Sequence, residues 1–496
     1  MNFDYCSWLK YDKNIMNISK SKLLQLIERN WLYFLIFLLI FCYFGIFRYF
    51  LIPSGDDYFW WGTQGEYLLH HGFYGPIKIY GGSINGRYLG NFLEILTMRH
   101  LKLAVIVFGG FWTLLIWTIW QLSGKTWWSL VLACGFIFTL NDAFLNTILV
   151  WNAGFINYVP PMALLLLYLV IVQKGEQQHL SAIYALLTLG LGLTAGLFLE
   201  SITICQIFLG LILLVFFTSH KQLYHFTYLL GAILSFGMMF SHPGYRLQVP
   251  YRQTTFDLSK IWYIYTTSNH IWLISLNTIL LAILLVAIIV LAWQSQLSKL
   301  TKGSLLLGAV IFLIYYLFVS RYLHTVKTDM IYDYLVNIHF ADIDAIVSLL
   351  FIGYIGCCIY YLLPFDKMIW LFYVCAGLFF GPLLFVAAPV NCRGIFPTYV
   401  FMYLIMIKFV QTASHKLKIN RLLLVITMIM VAGAATHYQI IMQTNYEANL
   451  MRVQEPAYEQ HQRLLNKHVP YRKFVWVNDR FDQQNPDYWN QRLKRR

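Results

Sequence analysis

The chain has 496 residues, of which 59% are hydrophobic, 18% aromatic and only 12% charged. That balance, with a mean hydropathy of +0.59, excludes a soluble globular protein. The formal net charge of +14 comes mainly from short basic loops and a basic tail, so it reflects membrane topology rather than nucleic-acid binding.

Apolar runs long enough to cross a bilayer recur along the chain. They fall at 31–52, 103–121, 127–147, 159–173, 180–199, 201–218, 222–241, 271–293, 304–320, 345–363, 367–387, 397–412 and 421–441. The pattern predicts an all-α polytopic membrane protein with about thirteen transmembrane helices. The runs 159–173 and 397–412 are short and are expected to extend into their loops. The first run is too long and too aromatic for a cleaved signal peptide. Lys10, Lys13, Lys20, Lys22 and Arg29 precede it. Counting alternate sides puts Lys125, Lys174, Lys221, Lys299, Lys302, Lys367, Lys416, Lys418 and Arg421 on that same face. The positive-inside rule then places the N-terminus in the cytoplasm and, with an odd helix count, the C-terminus outside. Three regions follow: a cytoplasmic segment 1–30, a transmembrane domain 31–441 and a small external tail 442–496. Eight cysteines lack metal-ligand spacing and read as buried small hydrophobes.

The long connections 53–102, 242–270, 321–344 and the tail all fall outside, so the external face is the expected working face. This asymmetry, with no repeat between the halves, argues against an alternating-access transporter. The loop 53–102 reads as two short amphipathic helices lying in the interface. One starts near Asp57 and ends at Gly72 to Pro76, and the other starts near Asn85. In the tail, a helix around 447–466 and a short strand over 473–477 are expected, packed on the external loops because the tail cannot build its own core.

The external ends gather the chemistry. Asp56 and Asp57 follow the first run, where a carboxylate can act as general base on a hydroxyl or cap a helix, with Ser54 and Asp57 at capping-box spacing. Arg87, Arg246 and Arg393 can grip a phosphate by bidentate hydrogen bonds, or simply snorkel. Glu200 lies between two apolar runs and therefore needs a cation or hydrogen-bond partner. The stretch from Trp151 to Tyr158 reads as a short re-entry between helices. There Asn152 and Asn157 offer amides to sugar hydroxyls, and Trp151 offers a stacking face or an interfacial anchor. His242 opens a Pro-Gly turn that returns Arg246 toward the membrane. Asp142 marks the outer end of the third run, while Asp329, Asp333, Asp342 and Asp344 read as solvated loop acids. No Ser-His-Asp set, HExxH motif or P-loop is present, and His70-His71 are adjacent rather than spaced as ligands.

Gly55-Asp56-Asp57-Tyr58, Asn85-Gly86-Arg87-Tyr88, the Trp151–Tyr158 stretch, Glu200-Ser201, Pro243-Gly-Tyr-Arg246 and Arg393 together resemble the GT-C superfamily of polytopic glycosyltransferases, in its bacterial branch. The resemblance implies a GT-C-like fold in the bacterial cytoplasmic membrane with an extracytoplasmic active face. It implies inverting, nucleotide-independent transfer from a polyprenyl-phosphate sugar to a glycan acceptor, such as a cell-wall polymer of the teichoic acid type. Asp56 or Asp57 would be the base, with Asp56 favoured as the first acid of such pairs in similar enzymes. Arg87, Arg246 and Arg393 would hold the donor phosphate. Glu200 would organise an arginine or bind acceptor hydroxyls, and His242, Trp151, Asn152 and Asn157 would line the substrate site. Some members require Mg2+ or Mn2+, which here would sit at Asp56 and Asp57. The alternatives are a polysaccharide polymerase or ligase, and a flippase or transporter for lipid-linked saccharides. Polymerases rely on long late external loops, and transporters want polar residues at the membrane midplane.

Overall fold

A computed structural model describes residues 20–71, 85–246, 253–327, 336–386, 392–417, 419–454, 469–476 and 486–494. These residues are helical almost throughout, and a β-bridge pairs Thr254 with Val386. In chain order the first helices are α1 (Lys20–Tyr49), α2 (Asp56–Trp61), α3 (Thr63–His71), α4 (Tyr88–Arg99), α5 (Leu101–Leu122), α6 (Trp127–Gly135), α7 (Asp142–Phe144) and α8 (Asn152–Gly175). Then come α9 (Ala182–Ala195), α10 (Glu200–Ile212), α11 (Leu223–Phe240), α12 (Leu258–Ile264) and α13 (Thr278–Gln294). The last are α14 (Lys299–Val326), α15 (Ile338–Leu362), α16 (Lys367–Phe380), α17 (Cys392–His415), α18 (Asn420–Gln454) and α19 (Pro486–Lys494).

Ten helices among the described residues are long and apolar enough to cross a membrane, and twelve if each of two bent pairs counts as one span. The expected run 180–199 is the 14-residue α9, about 21 Å at 1.5 Å per residue and short of a hydrocarbon core of roughly 30 Å. The runs 159–173 and 397–412 do extend, into α8 and α17. These two helices are the most buried spans and form the hub of the bundle.

Two expected spans are broken rather than straight. The third bends by 84° between Thr139 and Asp142, where the Asn141 side chain takes the N–H groups of Ala143 and Phe144 and starts a new helix. The eighth bends by 61° between Ser275 and Thr278, and its first arm, Leu258–Ser275, occupies much of the expected loop 242–270. That arm contains two successive π-helical turns, Tyr265–Asn269 and Ile271–Ser275. The breaks are tied together, since Asn141 Nδ2 donates to Asn277 Oδ1 at 3.1 Å.

α1 and α5 pack antiparallel. Phe47 faces Phe108 near one end and Tyr33 faces Trp120 near the other. α8 runs from Asn152 at the Arg48 end to Lys174 at the opposite end, so its 24 residues span the bundle. The tail departs from expectation. The last span continues unbroken to Gln454, so no separate helix begins at 447, and 455–468 lies outside the described residues. In place of a strand at 473, a 3-10 turn covers Arg472–Phe474, and Val477 lies outside the described residues. The tail does pack on the loops: Val469, Val475, Tyr488 and Trp489 share a cluster with Ile52, Tyr58 and Met98.

Candidate functional site

The Asp56-Asp57 pair begins α2, and the two carboxylates have different surroundings. Asp57 is fully buried: Ser54 N–H donates to Oδ2 at 3.2 Å and Ala153 N–H donates to Oδ1 at 3.1 Å. Burial pushes its carboxyl up to about 7, against the pull of those amides and of Arg48. Asp57 therefore ties α2 to the start of α8 and to the backbone of Ser54, while the N-cap position of α2 is Gly55 rather than Ser54. Asp56 presents surface to solvent. Packing around its carboxyl desolvates the charge and raises its pKa, while the Arg393 guanidinium pulls it back down.

Arg393 lies over the Trp151 ring, 5.0 Å from its centroid. Trp151 is itself stacked on Trp476 from the tail, with centroids 4.3 Å apart and planes at 10°. Beneath that indole lies Gly55, whose φ of 53° suits glycine and where an added Cβ would sit 2.1 Å from the Trp476 ring. Asn146 holds this segment by donating to the carbonyls of Lys473 and Val475.

Arg87 and Glu200 form an ion pair, Nη2 to Oε2 at 2.7 Å and Nε to Oε2 at 2.9 Å. Tyr245 donates its hydroxyl to Glu200 Oε1 at 2.8 Å and accepts the Gly86 N–H. Burial pulls the Arg87 guanidinium down in pKa, but Glu200 outweighs it and the net shift is upward. Glu200 thus meets its expected need for a cation. The same pairing spends two of the guanidinium nitrogens that a phosphate would use. Arg246, one residue beyond Tyr245, is exposed and has no ion pair among the described residues.

Several expected site residues face inward. The stretch expected to be a re-entry is the first two turns of α8, because its backbone continues directly into the helix. Asn152 is 1% exposed; it accepts from Arg48 Nη2 at 3.2 Å and donates to Thr97 Oγ1 at 3.1 Å. Asn157 Nδ2 is taken by Glu94 Oε1 at 2.7 Å and by the Ala153 carbonyl. His242 is buried, its Nδ1 accepting the Gly244 N–H. Trp151 is buried under Trp476 rather than open at an interface. Of the loop helices, α4 turns a polar face inward, burying Asn91, Glu94 and Thr97, while Phe92 is exposed.

Glu94 was not anticipated. It is 1% exposed, and burial, reinforced by Asp57 and Asp56, pushes its carboxyl well above the usual range. The signal lay in Asn91, Glu94 and Thr97 recurring every third residue, a polar stripe on the same face as Ile95 and Met98. Arg48 was also unanticipated, with Nε and Nη1 buried and unpartnered.

A second polar centre corrects the reading of Asp344 as a solvated loop acid. Both Asp342 and Asp344 lie within α15, and Asp344 is 1% exposed. It accepts from Ser275 Oγ at 2.6 Å and Tyr315 OH at 3.0 Å, and its Oδ2 lies 3.1 Å from His270 Nε2. His270 Nδ1 lies 2.8 Å from the Tyr265 carbonyl, so that nitrogen is the donor. Asp142, at the start of α7, is paired with Lys327 and Lys473, each at 3.4 Å. Asp329 and Asp333 lie outside the described residues.

Among the described residues no group of three His, Cys, Asp or Glu side chains could hold a metal ion. Both oxygens of Asp57 already accept a backbone N–H, which leaves Asp56 the more open carboxylate of the pair. The chain matches no family model, no curated protein and no solved structure.

Proposed function

We propose that the protein is a membrane glycosyltransferase of GT-C type, moving a sugar from a polyprenyl-phosphate donor to a hydroxyl acceptor on the extracytoplasmic side. The observation that carries the reading is the open Asp56 carboxylate within the field of Arg393, beside a sealed Asp57. Asp56 would take the proton of the acceptor hydroxyl as its oxygen attacks the anomeric carbon. The bond from that carbon to the donor phosphate breaks, and its electron pair leaves on the phosphate. Arg393, with the exposed Arg246, would stabilise the charge developing there. Glu200 would orient Arg87 rather than touch the acceptor. The orientation, with the N-terminus and lysine-bearing loops in the cytoplasm and the carboxylate end outside, belongs to the same proposal and rests on the positive-inside rule. Asn152 and His242 have no place in it, because both are buried and engaged within the protein.

The test is reconstitution of the full chain in liposomes with a panel of polyprenyl-phosphate sugars and simple glycan acceptors. Release of polyprenyl phosphate that depends on protein and acceptor supports the reading. No release from any donor, by folded protein, counts against it.

One observation favours the rival reading of a transporter for lipid-linked saccharides. The buried pair His270 and Asp344, 3.1 Å apart, sits inside the helix bundle, where transport cycles place ionisable coupling groups. Sugar-lipid movement across liposomes that follows an imposed proton gradient, without transfer, would select that reading.

A further inference from the structure

At the end of the bundle opposite the carboxylates, two cavities of about 750 and 720 Å³ share Trp117, Gln121 and Lys125 as lining residues. The first follows the groove between α1 and α5 past Gly110 and Thr113. The second opens toward Lys174 at the end of α8. Among the described residues no acidic side chain lines either one.

Three polar side chains along this path, Thr113, Gln121 and Lys125, have no side-chain partner among the described residues. Gln121 is 9% exposed, lines both cavities, and its side-chain amide has no hydrogen bond among the described residues. The Thr113 hydroxyl is buried and unpartnered. Lys125 is exposed, has no ion pair among the described residues, and is the one non-glycine residue there with a positive φ, 59°. That backbone conformation is strained for an L-residue, and glycine would relieve it. Lys174 is held over the Tyr184 ring and donates to its hydroxyl at 2.6 Å. Gly110 faces open space, so the groove floor is empty where a side chain would fit. The outer wall is lipid-facing: Phe34 on α1 is 64% exposed.

We infer that this paired cavity binds a membrane phospholipid with an anionic headgroup. The phosphate lies by Lys125 and Lys174, and Gln121 hydrogen-bonds the headgroup. One acyl chain runs along the α1–α5 groove over Gly110. The inference is independent of the sugar-transfer reading, because these residues lie at the other end of α5 and α8.

The test uses the purified full chain in detergent, with native mass spectrometry during titration by phosphatidylglycerol or phosphatidylcholine. Wild type should prefer phosphatidylglycerol. Lys125→Gln and Lys174→Gln should each weaken that binding by roughly fivefold, while Lys125→Arg retains it. Gly110→Leu, which fills open space, should reduce retention of both lipids without lowering the melting temperature measured before lipid addition. Equal binding of the two lipids by wild type, or undiminished phosphatidylglycerol binding in the folded double glutamine variant, would overturn the inference.

Discussion

Trp476 stacks on Trp151 with planes only 10° apart, so a residue from the C-terminal segment forms a wall beside the first carboxylate loop. Gly55 admits that indole because it has no side chain and holds φ at 53°. Gly55→Ala should therefore strain the loop and displace the indole, lowering stability by about 1–3 kcal/mol. Trp476→Ala should cost less than that plus the stacking energy when combined with Gly55→Ala, since both act on one contact. Thermal unfolding of the two single variants and the double variant measures this. Additive losses would separate the two residues.

The two aspartates should fail in different ways. Asp57→Asn keeps one acceptor oxygen but turns an amide NH2 toward one of the Ser54 and Ala153 N–H groups, so it should destabilise by about 1–3 kcal/mol. Asp56→Asn touches no such pair and should unfold at the wild-type temperature. The sign for Asp57 with pH follows from its upward shift to about 7. Its contribution to stability is full below the unfolded carboxylate value, falls as pH rises toward 7, and levels off above that. An unfolding series from pH 4 to 8 compared with Asp57→Asn reads that slope, and equal slopes would refute the assignment.

Arg393 lowers the pKa of Asp56 against the opposing effect of desolvation. Arg393→Gln removes the favourable charge, so Asp56 should hold its proton to higher pH. If Asp56 is the base, the acid limb of the transfer rate moves to higher pH in the variant. A limb that stays in place, or moves to lower pH, contradicts the pairing.

Glu200→Gln leaves the Arg87 guanidinium without its counterion. Side-chain exposures of 24% and 20% admit some screening, so the loss should be roughly 1–3 kcal/mol, below that of a sealed pair. A double-mutant cycle with Arg87→Ala should return a coupling of similar size, and a coupling near zero would show that the pair does not hold α4 against α10.

The broad architecture was legible because crossing helices need long apolar runs, and each run has a helical counterpart. The bends were not, because hydropathy registers length and apolarity but not the Asn141–Asn277 contact that joins two breaks far apart in sequence. Asp342 and Asp344 lowered the local hydropathy and made the first turns of α15 read as loop. The partners of Asp344, on α14 and the arm before α13, could be found only in three dimensions. Asp56, Asp57 and Glu200 were visible as charges next to apolar runs. Which aspartate is sealed depends on Ala153, and the sequence gives no sign that it lies alongside.

The central claim is that Asp56 is the base of a sugar transfer. Its most direct test is the rate of polyprenyl-phosphate release by reconstituted Asp56→Asn, with folding and donor retention measured on the same sample. The account predicts a fall of about 10²-fold or more with both of those unchanged. A folded Asp56→Asn protein that turns over at the wild-type rate would contradict it.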